Sequence, residues 1–123
     1  MPWSFTSDKP IYLQIVERIE RRIISGEYLP GDRLPTVREF ASEAAVNPNT
    51  MQRALAELEE IGLVCTQRNV GRSVTEEISV IETAKIRAAR ELVGNYTEKM
   101  AALGYSTDAA LEFLVKYKEE NNT

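Results

Sequence analysis

GEYLPGDRLPTVREFA, Gly26 to Ala41, is followed after a short turn by VNPNTMQRALAELEEIGLV, Val46 to Val64. The two segments read as a pair of helices that must cross. Thr36 and Glu39 have capping-box spacing, in which each side chain satisfies a backbone donor at the helix start. The first helix then buries Val37, Phe40, Ala41 and Ala44, spaced i, i+3, i+4, i+7. The second opens with Asn47, a strong N-cap residue, and Pro48, whose missing N–H costs nothing at the first helical position. Met51, Ala54, Leu55 and Leu58 repeat the apolar spacing, and Gly62 can close the helix in the left-handed conformation. Ala45 and Val46 alone separate the two helices.

A link that short between meeting apolar faces suits a helix-turn-helix, the motif that sets its second helix in the major groove of DNA. Downstream, Leu63 to Gln67 and Arg72 to Thr75 read as short strands joined by Arg68, Asn69, Val70 and Gly71. The result is a β-hairpin with a basic, glycine-containing tip, the wing of a winged helix. Such a tip lies along or in the minor groove, where arginine is favoured. Upstream, Pro10 to Ile24 supplies a further core helix, with Ile11, Ile15, Ile19 and Ile23 stacked at four-residue intervals. Its Arg18, Arg21 and Arg22 are expected in solvent or paired with Glu17 and Glu20. Trp3 and Phe5 alternate within Met1 to Thr6 and suggest docking on another part of the protein or on a dimer mate.

Gly26 and Pro30-Gly31-Asp32-Arg33-Leu34-Pro35, then Arg38, Ala41, Thr50, Leu55, Leu58, Gly62-Leu63 and Gly71, resemble the GntR family of bacterial transcription regulators over residues 9 to 77. Asn47-Pro48-Asn49-Thr50 with Gln52-Arg53, followed by a short C-terminal region, is similar to the YtrA-like subgroup. The resemblance implies a dimeric repressor, with genes for transporters or cell-envelope functions among the expected targets. Other branches of the family carry arginines where this chain has Pro48 and Gln52, so their operator sequences do not transfer.

Composition sets the bounds. A chain of 123 residues supports one domain, or a small domain with an appendage. No segment has the apolar length to span a bilayer and no basic-then-apolar leader is present, so a cytoplasmic location is expected. One cysteine, Cys65, and no histidine exclude an intramolecular disulfide and argue against a zinc site or a Cys-His nucleophile. No metal and no cofactor are expected. Cys65 itself is read as a small buried apolar residue. Fifteen basic against nineteen acidic residues leave the chain acidic, which departs from the usual footprint of a nucleic-acid binder. Placement offsets this: Arg38, Arg53, Arg68 and Arg72 lie in elements that a winged helix points at DNA, whereas Glu57, Glu59 and Glu60 lie toward the far end of the second helix.

Asn49, Gln52 and Arg53 are the candidates for base edges, since asparagine and glutamine can pair with adenine and arginine with guanine. Thr36, Arg38, Asn47 and Thr50 would fix register on phosphates, and Arg68, Gly71 and Arg72 would serve the wing. Competing explanations stand beside these. Capping alone accounts for Thr36 and Asn47, a neighbouring carboxylate could occupy Arg38, and Gln52 and Arg53 could belong to a merely solvated face.

The remainder, residues 78 to 123, reads as two helices forming a short dimerisation region. Ser79 and Glu82 have capping-box spacing. Ile81, Ala84, Ala88, Leu92, Tyr96 and Met100 mark one face down to Gly104, and Ser106 or Thr107 can cap a last helix bearing Leu111, Leu114, Val115 and Tyr117. Such a hairpin cannot bury both faces alone, so Ile81, Ala88, Leu92, Tyr96, Leu111 and Leu114 are assigned to a two-fold interface. Only forty-six residues follow residue 77, too few to enclose a ligand pocket of the usual ~300–1,000 Å³ without help from a second subunit. Either no small-molecule effector or a modest site between subunits is expected.

The expected fold is thus mainly α with a small β-hairpin, a winged helix-turn-helix followed by two helices. Three function classes remain open. A dimeric regulator on a pseudo-palindromic DNA operator fits most features, and a winged helix used for protein contact fits the acidic balance. An enzyme has almost no support, because no phosphate-binding loop and no nucleophile–base pair can be assembled.

Overall fold

A computed structural model describes residues 2–122; Met1 and Thr123, which end the predicted N-terminal segment and C-terminal region, lie outside the described residues. The elements run α1 (Ile11–Ile24), α2 (Val37–Ala44), α3 (Pro48–Glu60), β1 (Val64–Gln67), β2 (Gly71–Val74), α4 (Ile78–Ala102) and α5 (Thr107–Asn121). Two compact units divide between Lys85 and Ile86, within α4.

In the first unit α1 packs most extensively on α3, and α2 crosses α3. Ile15, Ile19, Phe40, Met51, Leu55, Leu58, Leu63, Val64 and Val74 are fully buried there, joined by Trp3, Leu34, Ile81 and Ala84. Ile11, at the start of the isoleucine stack, stays exposed.

The turn between α2 and α3 has a definite chemistry. Ala45 takes φ 60, Val46 N–H donates to the Ala41 carbonyl at 3.0 Å and Ala45 N–H to that of Ser42 at 3.3 Å. These are the two bonds of a Schellman motif, with alanine at the left-handed position that glycine usually holds. The same motif closes α3, where Gly62 (φ 89) carries the left-handed residue and Leu63 N–H reaches the Leu58 carbonyl at 3.1 Å.

The wing is a two-stranded hairpin with one isolated bridge on its outer edge. β1 and β2 pair antiparallel with Val64 opposite Val74 and Cys65 opposite Ser73. Arg33 bridges Ser73 on the other side, held by Leu34 N–H to the Arg72 carbonyl at 2.9 Å and Val74 N–H to that of Asp32 at 2.8 Å. Leu29-Pro30-Gly31-Asp32 forms the turn into this segment. Asp32 N–H returns to the Leu29 carbonyl at 2.9 Å and Gly31 adopts φ 83, as proline followed by glycine in a type II turn requires. The connector between α1 and α2 is thereby sewn to the wing.

Three expectations need correction. Cys65 is exposed, not buried: successive residues of a strand face opposite sides, and Val64 takes the core side. Ser79 does not cap α4, because the helix begins one residue earlier at Ile78, after Thr75 Oγ1 has accepted the Glu77 N–H at 3.1 Å. Ser79 is then an interior residue whose carbonyl accepts the Thr83 hydroxyl at 2.8 Å. Finally, Arg22 pairs with Glu43 at 3.1 Å and Glu27 at 3.4 Å, and Glu17 with Lys9 at 3.0 Å. Two arginines of α1 also hold an aromatic ring in place. Arg18 and Arg22 lie 5.0 and 4.8 Å from the Trp3 ring centre, and Trp3 Nε1 donates to Glu43 at 2.9 Å.

The second unit is built differently. α4 ends in a Schellman turn at Gly104 (φ 96), and Ser106 Oγ caps α5 by accepting the Ala109 N–H at 3.1 Å. Tyr96 donates its hydroxyl to the Ala110 carbonyl at 2.6 Å, and Tyr105 meets Phe113 edge to face. Ala110 is the one buried apolar residue described in this unit.

Candidate nucleic-acid interface

At the start of α2 the capping box forms as its spacing requires. Thr36 Oγ1 accepts the Glu39 N–H at 3.1 Å and Glu39 Oε1 accepts the Thr36 N–H at 2.8 Å. The Thr36 amide and hydroxyl, with Arg33 nearby, hold the Glu39 carboxyl below its ordinary pKa. Arg38, two residues beyond the cap, is exposed and has no ion pair among the described residues.

α3 starts with Asn47 Oδ1 accepting the Asn49 N–H at 2.7 Å and with Pro48 inside the first turn. The helix then divides cleanly. Met51, Ala54, Leu55 and Leu58 are buried, while Asn49, Gln52 and Arg53 are exposed. Asn49, Thr50 and Arg53 line a shallow groove whose other wall is Ile11 and Tyr12 of α1. Within it the Arg53 guanidinium carbon lies 3.7 Å from the centre of the Tyr12 ring. Tyr12 was not among the sequence candidates. No local pattern in the chain links it to a residue of α3.

The wing rearranges the arginine assignments. Arg68 sits exposed in the three-residue tip with Asn69 (φ 67) and Val70. Gly71 starts β2, and a Cβ there would come within 4.0 Å of the Arg33 guanidinium. Arg72, assigned to DNA by its position, instead donates Nε–H to Glu59 Oε1 at 2.5 Å, with side chains only 18% and 31% exposed. Burial alone would raise the Glu59 pKa, but the bonds from Arg72 and Thr66 outweigh it and hold the carboxylate below its ordinary value. Arg72 therefore ties β2 to the last turn of α3, and Glu59 is its anchor. Arg33, exposed at the isolated bridge to Ser73, lies beside the wing, and no sequence pattern pointed to it.

Of the residues assigned to self-association, Ile81 is buried in the first unit's own core and is withdrawn from any such surface. Leu92, Leu111 and Leu114 are exposed at 70, 60 and 52%, whereas Ala88 and Tyr96 are half-buried.

A basic three-residue wing tip beside a helix-turn-helix defines a winged-helix protein. The family model "Bacterial regulatory proteins, gntR family" matches residues 11–74, and the chain belongs to that family. It is 40% identical over 116 residues to the HTH-type transcriptional regulator YhcF of Bacillus subtilis, covering 94% of this chain and 96% of that one. Its likeness to the HTH-type transcriptional repressor YtrA of the same species is 41% over 70 residues, 57% of this chain and 54% of that one. Among solved structures, a GntR family transcriptional regulator from Listeria monocytogenes superposes with a TM-score of 0.84 at 40% identity, over 91% of this chain and 98% of that chain. The AraR DNA-binding domain in complex with operator ORE1 matches with a TM-score of 0.54 at 28% identity, over 60% and 90%. No helix among the described residues is long and apolar enough to cross a membrane.

Proposed function

We propose that this protein is a sequence-specific DNA-binding transcriptional repressor that works in the cytoplasm as a homodimer on a pseudo-palindromic operator. The observation that carries the reading is the division of α3 into a buried Met51-Ala54-Leu55-Leu58 stripe and an exposed Asn49-Gln52-Arg53 edge. A helix fixed at its back by its own core, and entered through the three-residue turn Ala45-Val46-Asn47, can present that edge to a major groove without reorganising.

In this reading Asn49, Gln52 and Arg53 read bases, while Thr36, Arg38, Asn47 and Thr50 hold phosphates. Arg68 and Arg33 serve the wing, with Gly71 allowing close backbone approach. The operator-bound AraR domain supports the assignment, since its fold matches this chain over the winged helix. Exposure of Leu92, Val93, Leu111 and Leu114 supports self-association through the C-terminal helices. A two-fold pair would place half-sites about 34 Å apart, or a multiple of it. Resemblance to the YtrA-like subgroup makes transporter or cell-envelope genes the expected targets. Either no small-molecule effector or a modest site between subunits goes with this reading.

Selection from a random duplex pool with purified protein at near-physiological salt tests the reading. Recovery of an inverted repeat with turn-spaced halves is the expected result. Absence of any enriched sequence would overturn it and favour a winged helix that contacts protein, as the net charge of −4 would then allow.

A further inference from the structure

We infer that Tyr12 of α1 is a specificity-determining positioning residue, which holds Arg53 of α3 in the geometry that reads a guanine. The inference rests on the DNA-binding reading above and names a residue outside the helix-turn-helix.

At 3.7 Å from the ring centre the Arg53 guanidinium carbon can only stand over the face of Tyr12, because an in-plane approach would collide with ring atoms. Stacking of this kind engages the flat π-surface of the cation. It leaves the N–H donors, which radiate in the guanidinium plane, free at the rim. Bidentate pairing with O6 and N7 of guanine needs two of those rim donors and nothing from the faces. The stack and the base contact are therefore compatible. A long side chain that is otherwise exposed would lose much rotamer freedom on binding, and the ring removes part of that loss beforehand.

Placement supports the same role. Asn49 lies one helical turn before Arg53 and lines the same groove, so the ring extends the edge of α3 that carries the other base-reading candidate. Tyr12 is half-buried against the hydrophobic core, which fixes the platform itself. Arg53 has no ion pair among the described residues, leaving Tyr12 as the contact that orients it.

The test uses the full chain and the operator recovered by the wild type. Affinities are measured for that operator and for every single base-pair replacement in one half-site. Arg53→Ala first identifies the base pair whose preference depends on Arg53. Tyr12→Leu, which keeps apolar bulk without a ring, should then lower the preference at that base pair by about two- to fivefold and leave the others unchanged. Tyr12→Phe should retain it, and Tyr12→Leu should have no further effect in the Arg53→Ala background. Melting temperatures of the variants report on folding. Equal loss at all positions with a lowered melting temperature would reduce Tyr12 to a core residue and overturn the inference. Unchanged preferences in Tyr12→Leu, or no base pair that responds to Arg53→Ala, would overturn it as well. These outcomes leave the repressor reading standing, whereas failure of the wild type to select any sequence would remove both.

Discussion

The two units of this chain spend similar apolar side chains in opposite ways. In the first, Ile15, Phe40, Met51 and Leu55 are 0% exposed and converge on one core. In the second, Leu92, Val93, Leu103 and Leu111 are each at least 60% exposed, and the internal contacts are polar or edge-on aromatic. Three crossing helices and a wing enclose a volume. Two helices joined by a short turn enclose no such volume, so Leu92, Val93, Leu103 and Leu111 stay in water. A unit that completes its own core can act as a rigid reading head, and a unit that leaves its core open is suited to joining.

The contrast can be broken at several points. Phe40→Ala should cost about 3–5 kcal/mol in urea unfolding, because the ring is fully enclosed by Trp3 and Tyr28 edges and by α3. A loss below 1 kcal/mol would mean that the core is not sealed. Leu114→Asp should leave that unfolding free energy unchanged but weaken self-association at least about a hundredfold in sedimentation, since a carboxylate left unpaired at a closed apolar interface costs several kcal/mol. Equal sedimentation of variant and wild type would remove α5 from the joining surface. Arg53→Ala should cost ~1–3 kcal/mol of operator affinity and relax specificity without moving the melting temperature. Unchanged affinity would displace the reading edge from α3.

The smallest effect concerns pH. The Glu59 carboxylate is held below its ordinary pKa by Arg72 and Thr66, so its contribution is fully present above the usual carboxylate range. That contribution disappears as pH falls through the depressed folded value. Glu59→Gln should therefore flatten this part of the acid loss of stability, followed by thermal melts at stepped pH. An unaltered acid profile would show that the pair does not hold the wing.

How much of this was legible in the chain depended on range. The caps at Thr36 and Asn47 were readable, and that of α5 was narrowed to Ser106 or Thr107, because donor and acceptor lie within three residues of each other; the same spacing at Ser79 misled, since α4 had already begun. The buried stripe of α3 followed from its period. Leu63 and Val64 are adjacent, so either could have taken the core side and Cys65 was misplaced once both did. Pairing of Arg33 with Ser73, of Glu59 with Arg72 and of Tyr12 with Arg53 spans from 13 to 41 positions, and no periodicity encodes such partners. This mattered most around the wing: the buried stripe of α3 was found from sequence, while the placement of Arg33, Arg72 and Tyr12 needed three dimensions.

Trp3 has an optical consequence. It is the single tryptophan of the chain, 6% exposed, with its ring edge-on to Phe40 and its indole N–H held by Glu43. Tryptophan emission, excited apart from the five tyrosines, therefore originates between α1 and α2, beside Phe40, Glu43, Arg18 and Arg22. The protein carries a built-in fluorophore that reports whether the reading head is assembled, and any spectral change on adding a DNA duplex would signal strain transmitted through α2.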